Sequence, residues 1–375
     1  MKRYSNIDLA RGLIMVFMAL DHASLMVGRR HFQEMWGVDF ERYPDVFWWL
    51  TRFVSHFCAP GFFFLMGMSM LLLAEKRLAS NWSAARIRNY FLKRGGLILL
   101  VMLFLEVPAF VLGDAFAQSL PSHVKPGQYN GGFIWPGTVL YGLGTCMILG
   151  AFLWRLGNRA LLGISVGCFA LSGWYLHQTD PFQHFHPLLH AVLVPGKSDG
   201  ALIMYPIIPW LGIACFGIFW GRLLKTHPQK IYDWSLKTGL AFIGAALLVR
   251  ALGHGNFQVS AYSDWVSFFT LVKYPPSLTF ALLTCGVHLL LLYVFVRSFG
   301  RPWLQPLLVF GQTAMFFYIA HLYLYALIGI AFPEGCAIGW MYLIWLLGLL
   351  ILYFLCQRYL AFKRAKPPNS IWRML

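Results

Sequence analysis

Charge is scarce in this chain: Lys, Arg, Asp and Glu make up 12% of its 375 residues, and only 14 side chains are acidic. No stretch is polar for long enough to form a separate soluble domain, and 59% hydrophobic residues with a mean hydropathy of +0.62 exclude an ordinary globular protein. Cysteine pairing is missing as well. Cys58, Cys146, Cys168, Cys215, Cys285, Cys336 and Cys356 show no CxxC and no paired spacing, which excludes a disulfide framework and a cysteine zinc site. The 30 basic residues give a net charge of +16 but form no continuous stripe, so nucleic acid is not the expected partner. His177, His184, His186 and His190 share one connection without companion carboxylates at ligand spacing, and no metal is expected. The first apolar run lacks a small-residue cleavage pattern after it, so it reads as a retained helix rather than a signal peptide.

What is present is a series of apolar runs near 7–27, 46–74, 96–116, 133–154, 160–176, 201–221, 237–253, 277–296, 304–331 and 338–360. They predict an all-α polytopic membrane protein of about ten transmembrane helices, a single domain over 1–375. With the N-terminus inside, cytoplasmic segments hold 21 of the 30 basic residues and outer segments seven, so the expected orientation has both termini in the cytoplasm. The run from Val46 to Ala74 is too long for one straight span and contains Cys58-Ala59-Pro60-Gly61, which predicts a short half-helix, a break and a full span. Breaks at membrane depth are tolerated where they line a cavity or are buried in protein. Long outer connections at 117–132, 177–200 and 254–276 could cover an acceptor site.

Within the first run, Arg11 and His22 are eleven residues apart, three helical turns and about 16 Å, so they share one helix face. Ionisable groups at such depth cost at least roughly 2.5 kcal/mol for a central charge, which makes them functional candidates. Asp21 lies about 100° round the helix from His22 and faces another partner. Glu106 and His321 also fall deep inside apolar runs. A His beside a carboxylate can serve as general acid or base near neutral pH, the requirement for transfer to a sugar amine or hydroxyl. Arg52 and His56 form an i, i+4 pair that could hold an anion or a substrate carboxylate. Between Glu75 and Arg94, six cations including Arg86, Arg88, Lys93 and Arg94 accompany one acid, a composition that could clamp the phosphates of a nucleotide-type donor.

Asp8-Leu9-Ala10-Arg11-Gly12 running to Asp21-His22, followed by Cys58-Ala59-Pro60-Gly61 and Gly67-Met68-Ser69, resembles the opening of the heparan-α-glucosaminide N-acetyltransferase catalytic-domain family. The Arg11 and His22 spacing is also similar to the first-helix motif of the related acyltransferase-3 proteins. Tyr205 to Gly212, Lys273 to Ser277 and Phe310 to His321 are similar to bacterial members, which implies a multi-pass protein of the bacterial inner membrane. The resemblance implies acetyl transfer from cytoplasmic acetyl-CoA, or another acyl-CoA, to a saccharide acceptor at or beyond the far face of the bilayer. Carried over to this chain, Arg11 and the basic 86–94 segment would serve the donor and His22 the transfer; Trp210 and Gln312, which lie in the similar strings, are candidates for binding the substrate. The position that matches the family's catalytic His, ahead of Pro60, is Val46, so His22 or His56 is left for that role, with His321 as a further candidate and Asp21 or Glu106 as its orienting carboxylate. His22 would act as general base or as a transient acyl carrier. A homo-oligomer is compatible with all of this. The rival class is a transporter or flippase using the broken helix and buried charges as its path, although no convincing match between the halves supplies the inverted repeats it would favour. A scaffold subunit would leave the Arg11 and His22 pair without a role.

Overall fold

The computed structural model describes residues 4–31, 34–37, 42–115, 135–181, 183–198, 201–257, 262–367 and 370–374. The connection at 117–132 and the basic residues Lys2, Arg3 and Lys125 lie outside them.

The chain opens with α1 (Ser5–Met26), which is buried among other helices and forms the axis of the bundle. At its end Arg29 turns inward, and its guanidinium donates to the main-chain oxygens of Gly113, Gly329 and Phe332. A cation placed on the carbonyl ends of helices is favourable, and this one binds α1 to two later helices. Next come α2 (Val46–Ser55), capped by the Asp45 carboxylate accepting from Phe47 and Trp48, and α3 (Cys58–Leu78). The helix is interrupted at His56 and Phe57 rather than at the Pro, and Val46–Leu78 remains one apolar span of 33 residues rather than a half-helix and a full span. Pro60 falls in the first turn of α3, where its missing N–H has no helical partner to lose.

Ser83 caps α4 (Ala84–Val101), so the basic segment expected as a connection is helical from Ala84 onward. The helix widens into a π turn at Met102–Glu106 and continues as α5 (Val107–Ala115). Pro108 cannot donate to the preceding turn, and a π turn is a common accommodation at functional sites. A strand, β1 (Trp135–Gly137), leads into the short apolar helix α6 (Val139–Leu153), then α7 (Asn158–His177) and α8 (Pro187–Val192). Strands β2 (Gly196–Ser198) and β3 (Ala201–Ile203) complete a small sheet in the order β1-β3-β2, with Pro136 opposite Leu202 and Lys197 opposite Leu202. The run expected to cross as a helix from 201 is therefore strand at first and helical only as α9 (Ile207–Thr226).

The remaining elements are α10 (Ile231–Ala251), α11 (Trp265–Phe269), α12 (Leu278–Ser298), α13 (Gln305–Gln312), α14 (Ala314–Gly329), α15 (Ile338–Ala365) and α16 (Ile371–Met374). The apolar run at 304–331 is not one rod: it bends by 88° at Thr313, between α13 and α14. Among the described residues eight helices are long and apolar enough to cross a membrane, nine with the bent pair, and α6 is shorter. The protein is thus a predominantly helical, multi-pass membrane protein with a small sheet added. α1, α2–α3, α9 and α12 are interior, whereas α7, α10 and α15 expose Leu, Val, Phe and Trp side chains such as Val166, Leu248, Leu350 and Phe354, the surface that lipid covers.

Helices cross closely where glycine removes the side chain. A Cβ on Gly12 would overlap the main-chain oxygen of Leu307, and one on Gly311 that of Asp8, so α1 and α13 meet backbone to backbone beside Arg11. Small residues at such crossings are the usual basis of close helix packing in membranes.

Candidate functional site

A cavity of about 510 Å³ opens at the face where α1 begins. Arg11 and Met15 of α1 line it, with Ser69 of α3 and the cations Lys76, Arg94 and Lys363, and Tyr318 of α14 is part of its wall. Arg11 is held by three elements: Nη1 donates to Asp8 at 3.0 Å and to the Gly311 main-chain oxygen at 3.3 Å, and Nη2 to Ser69 at 3.0 Å. The glycine at 311 makes the second contact available, because α13 approaches α1 closely there. Gln312 also lines the cavity and accepts from Arg364 at 3.3 Å.

A second pocket of about 810 Å³ shares Leu73, Lys76 and Arg94 with the first. Arg77, Arg86, Lys93 and Arg373 complete its cationic lining, and among the described residues no acidic side chain contributes. The Trp82 ring has Arg77 at 4.2 Å and Arg86 at 4.1 Å, so two guanidiniums are ordered on one indole. Arg88 points elsewhere: its guanidinium lies over the Phe152 ring at 5.7 Å and does not line either pocket.

Deeper along α1, His22 continues the face of Arg11 and Met15. Its Nδ1 lies 2.6 Å from His321 Nε2 on α14, with the ring centroids 4.9 Å apart and the planes within 25° of each other, so the rings meet edge to edge. The two His expected separately are thus brought together, and neither expected carboxylate touches His22 by a hydrogen bond. Glu106 is fully buried and accepts from Thr138 Oγ1 at 2.6 Å and from the Tyr318 hydroxyl in a short bond. The π turn sets the carboxyl toward α14, so Tyr318 joins the cavity wall to Glu106, and its ring lies 5.6 Å from that of His321.

Asp21 faces away from His22 into a separate buried network. Arg52 donates to both Glu34 oxygens, from Nε at 3.0 Å and from Nη2 at 2.7 Å, and its Nη1 reaches Asp21 at 2.9 Å. The Tyr43 hydroxyl donates to Glu34 at 2.8 Å, and His56 Nε2 lies 3.3 Å from the same carboxylate. Arg52 is therefore saturated by protein carboxylates rather than offered to a substrate anion. Burial alone pushes the Glu34 carboxyl up, but Arg52 and His56 outweigh it and hold it well below the usual carboxylate range. Burial, reinforced by Arg52, lowers His31 to about 3 against the pull of Asp21. Lys273 is buried beside this network, its N–H donating to the Glu34 main-chain oxygen and its ammonium 5.0 Å from the Tyr274 ring. Trp210 is fully buried, stacked on Phe63 at 4.8 Å and beside Tyr205, whose hydroxyl meets that of Tyr274 at 3.3 Å.

Glu34, Lys273 and Tyr318 were not singled out from sequence as site residues. Glu34 lies in a connection with no motif around it, and the scarcity of acids in the chain was the one signal that could have marked it. Lys273 and Tyr318 fall inside the strings that resemble bacterial acyltransferases. Among the described residues no three His, Cys, Asp or Glu side chains are placed to hold a metal ion.

The arrangement places a basic pocket and a cavity, which share Lys76 and Arg94, on the Arg11 face of α1, and His22, paired with His321, lies further along that face without lining either of them. None of the curated proteins matches the chain. The family described as heparan-alpha-glucosaminide N-acetyltransferase, catalytic, matches residues 3–254, which takes in α1, the broken α2–α3 span, the basic helix α4 and Glu106. With two thirds of its length covered by that match, the chain belongs to the heparan-α-glucosaminide N-acetyltransferase catalytic-domain family.

Proposed function

We propose that this protein transfers an acyl group, acetyl in the simplest case, from acyl-CoA to a hydroxyl or amine of a saccharide. The observation that carries the reading is the continuity of the two pockets: six cations ring the wider one, and it shares Lys76 and Arg94 with the cavity that reaches Tyr318. Cationic side chains suit the phosphates of a nucleotide donor, and a narrower, mostly apolar cavity suits an extended thioester arm. By the distribution of basic residues the donor enters from the cytoplasm, and the acceptor meets it from the opposite side. The membrane is the bacterial inner membrane in this reading.

In the transfer, the acceptor oxygen or nitrogen attacks the thioester carbonyl, the C–S bond breaks, and CoA leaves as a thiolate. His22 takes the acceptor's proton and returns it to the thiolate. Arg11 and the pocket of Arg86, Lys93 and Arg94 hold the donor, while Glu106 fixes Tyr318 against the cavity.

The test is acetyl-CoA-dependent labelling of a saccharide fraction by purified protein in detergent or nanodiscs. Labelling is expected from the parent and lost from His22→Ala. A thermal-shift titration separates the rival transport reading: stabilisation by CoA and acetyl-CoA is expected here, and its absence at saturating concentration would shift the assignment to transport without chemistry.

A further inference from the structure

The His22 and His321 pair fixes where the protons sit. His321 Nδ1 lies 2.9 Å from the Phe317 main-chain oxygen, one turn earlier on α14. A carbonyl oxygen only accepts, so the hydrogen of His321 is on Nδ1, and in the neutral ring Nε2 carries a lone pair alone. That Nε2 is the atom 2.6 Å from His22 Nδ1. Two lone pairs would repel at this distance, so His22 must donate from Nδ1, and its own Nε2 is then the bare nitrogen.

The opposite assignment requires His321 to be an imidazolium donating from both nitrogens. His321 is fully buried against Phe317, Tyr318 and Tyr325, and the nearby carboxylate of Glu106 is taken up by Tyr318 and Thr138. The other nearby carboxylate, Asp21, is already paired with Arg52, so a cation there would be buried without a partner of its own, which is costly. His22 is the more open ring of the two, and among the described residues its Nε2 makes no hydrogen bond.

We propose that His321 is a positioning residue: it locks His22 in the tautomer protonated at Nδ1 and presents the His22 Nε2 lone pair as the proton acceptor of the transfer. When Nε2 takes the acceptor's proton, the His22 imidazolium keeps its Nδ1–H on His321 Nε2, now as a charge-assisted bond. The logic is that of an orienting group behind a catalytic imidazole, with a neutral ring in place of a carboxylate. The catalytic part rests on the acyl-transfer reading; the tautomer does not. His321 lies beyond the family match, so the pairing comes from the fold of the chain's last third.

The experiment uses the full chain, labelled with ring-15N histidine in lipid nanodiscs, with the His22 signals assigned by difference against His22→Gln. The expected spectrum has His22 Nδ1 of the protonated type and Nε2 of the unprotonated type above the ring's titration. His321→Leu should abolish the single tautomer, and His321→Gln, whose side-chain oxygen can accept in place of Nε2, should restore it. In the labelling assay His321→Leu should lower kcat by about 100-fold with the KM for acetyl-CoA changed less than about twofold, and His321→Gln should recover most of the rate. A His22 protonated at Nε2, or an active His321→Leu protein with unchanged kcat, overturns the proposal. Should the parent transfer no acyl group, the acyl-transfer reading fails and the spectrum alone decides the tautomer.

Discussion

Replacing Arg52 by Met should be among the most damaging single changes outside the cavity, and the reason is what it leaves behind. Arg52 makes bonds of 2.7–3.0 Å to Glu34 and 2.9 Å to Asp21, and its side chain is 3% exposed. Removing it strands two buried carboxylates. Glu34 keeps the Tyr43 hydroxyl with His56 at 3.3 Å, whereas the neutral His31 lies 3.8 Å from Asp21, beyond hydrogen-bond reach, so the loss is that of the cation of a buried network, about 3–5 kcal/mol. For a chain of this size, with an unfolding entropy of about 2.1 cal/mol/K per residue, that lowers Tm by roughly 4–6 °C. The assay is thermal unfolding in detergent at one fixed scan rate, since membrane proteins commonly unfold irreversibly and only shifts at matched conditions compare. A triple variant, Arg52→Met with Asp21→Asn and Glu34→Gln, removes the stranded charges and should recover most of the shift. An Arg52→Met protein as stable as the parent, or a triple variant that falls further than the single one, would refute the reasoning.

Charge reversal at Lys93 and Arg94 together should raise the KM for acetyl-CoA with little change in kcat, the pattern of lost uniform binding, whereas Arg88→Glu, outside both pockets, should leave that KM near the parent's. Arg11→Gln should act on the same constant while shifting Tm less than Arg52→Met, because Arg11 lines the cavity with its side chain 23% exposed and leaves one acid, Asp8, rather than two. Gly12→Ala should cost about 1–3 kcal/mol by forcing α1 from α13, read as a Tm shift together with a loss of donor binding. The parent should lose stability as pH falls from about 6.5 toward 3. Below the usual His value the unfolded chain binds a proton that the native His31 refuses, a loss of up to about 1.4 kcal/mol per pH unit that His31→Asn should reduce in a pH series of melting curves.

Much of the central helix is legible in sequence. Hydrophobicity with a helical spacing of Arg11 and His22 predicts α1 and its shared face, and the angle between Asp21 and His22 predicts that they serve different partners, as Arg52 and His321 bear out. Position along the chain is read less well where it depends on packing. Pro60 signals a break, yet the break falls at His56 and Phe57 because Pro is harmless in a first turn. The 88° bend at Thr313 has no Pro at all and interrupts an unbroken apolar run; it follows from the contact of Gly311 with Asp8, which pins α13 across α1 before α14 turns away. No local pattern can pair His22 with His321 or Glu106 with Tyr318, since each pair joins distant parts of the chain through the folded bundle.

Adjacent placement of Asp21 and His22 gives one helix two kinds of group with opposite demands. A carboxylate at this depth is stable only when its charge is matched, and Arg52 matches it in a buried network that also takes up Glu34 and His56. A proton acceptor must instead keep one nitrogen unengaged and change charge during turnover, which a direct carboxylate partner would bias toward the protonated ring. The step of one residue turns the imidazole about 100° away from that network and toward the neutral ring of His321. His56, which the sequence offers as an alternative to His22, sits on the charged side, against Glu34 and Phe280, buried and committed to the scaffold. Of the three imidazoles, His22 alone combines the more open ring, the orientation set by His321 and a place on the Arg11 face of α1.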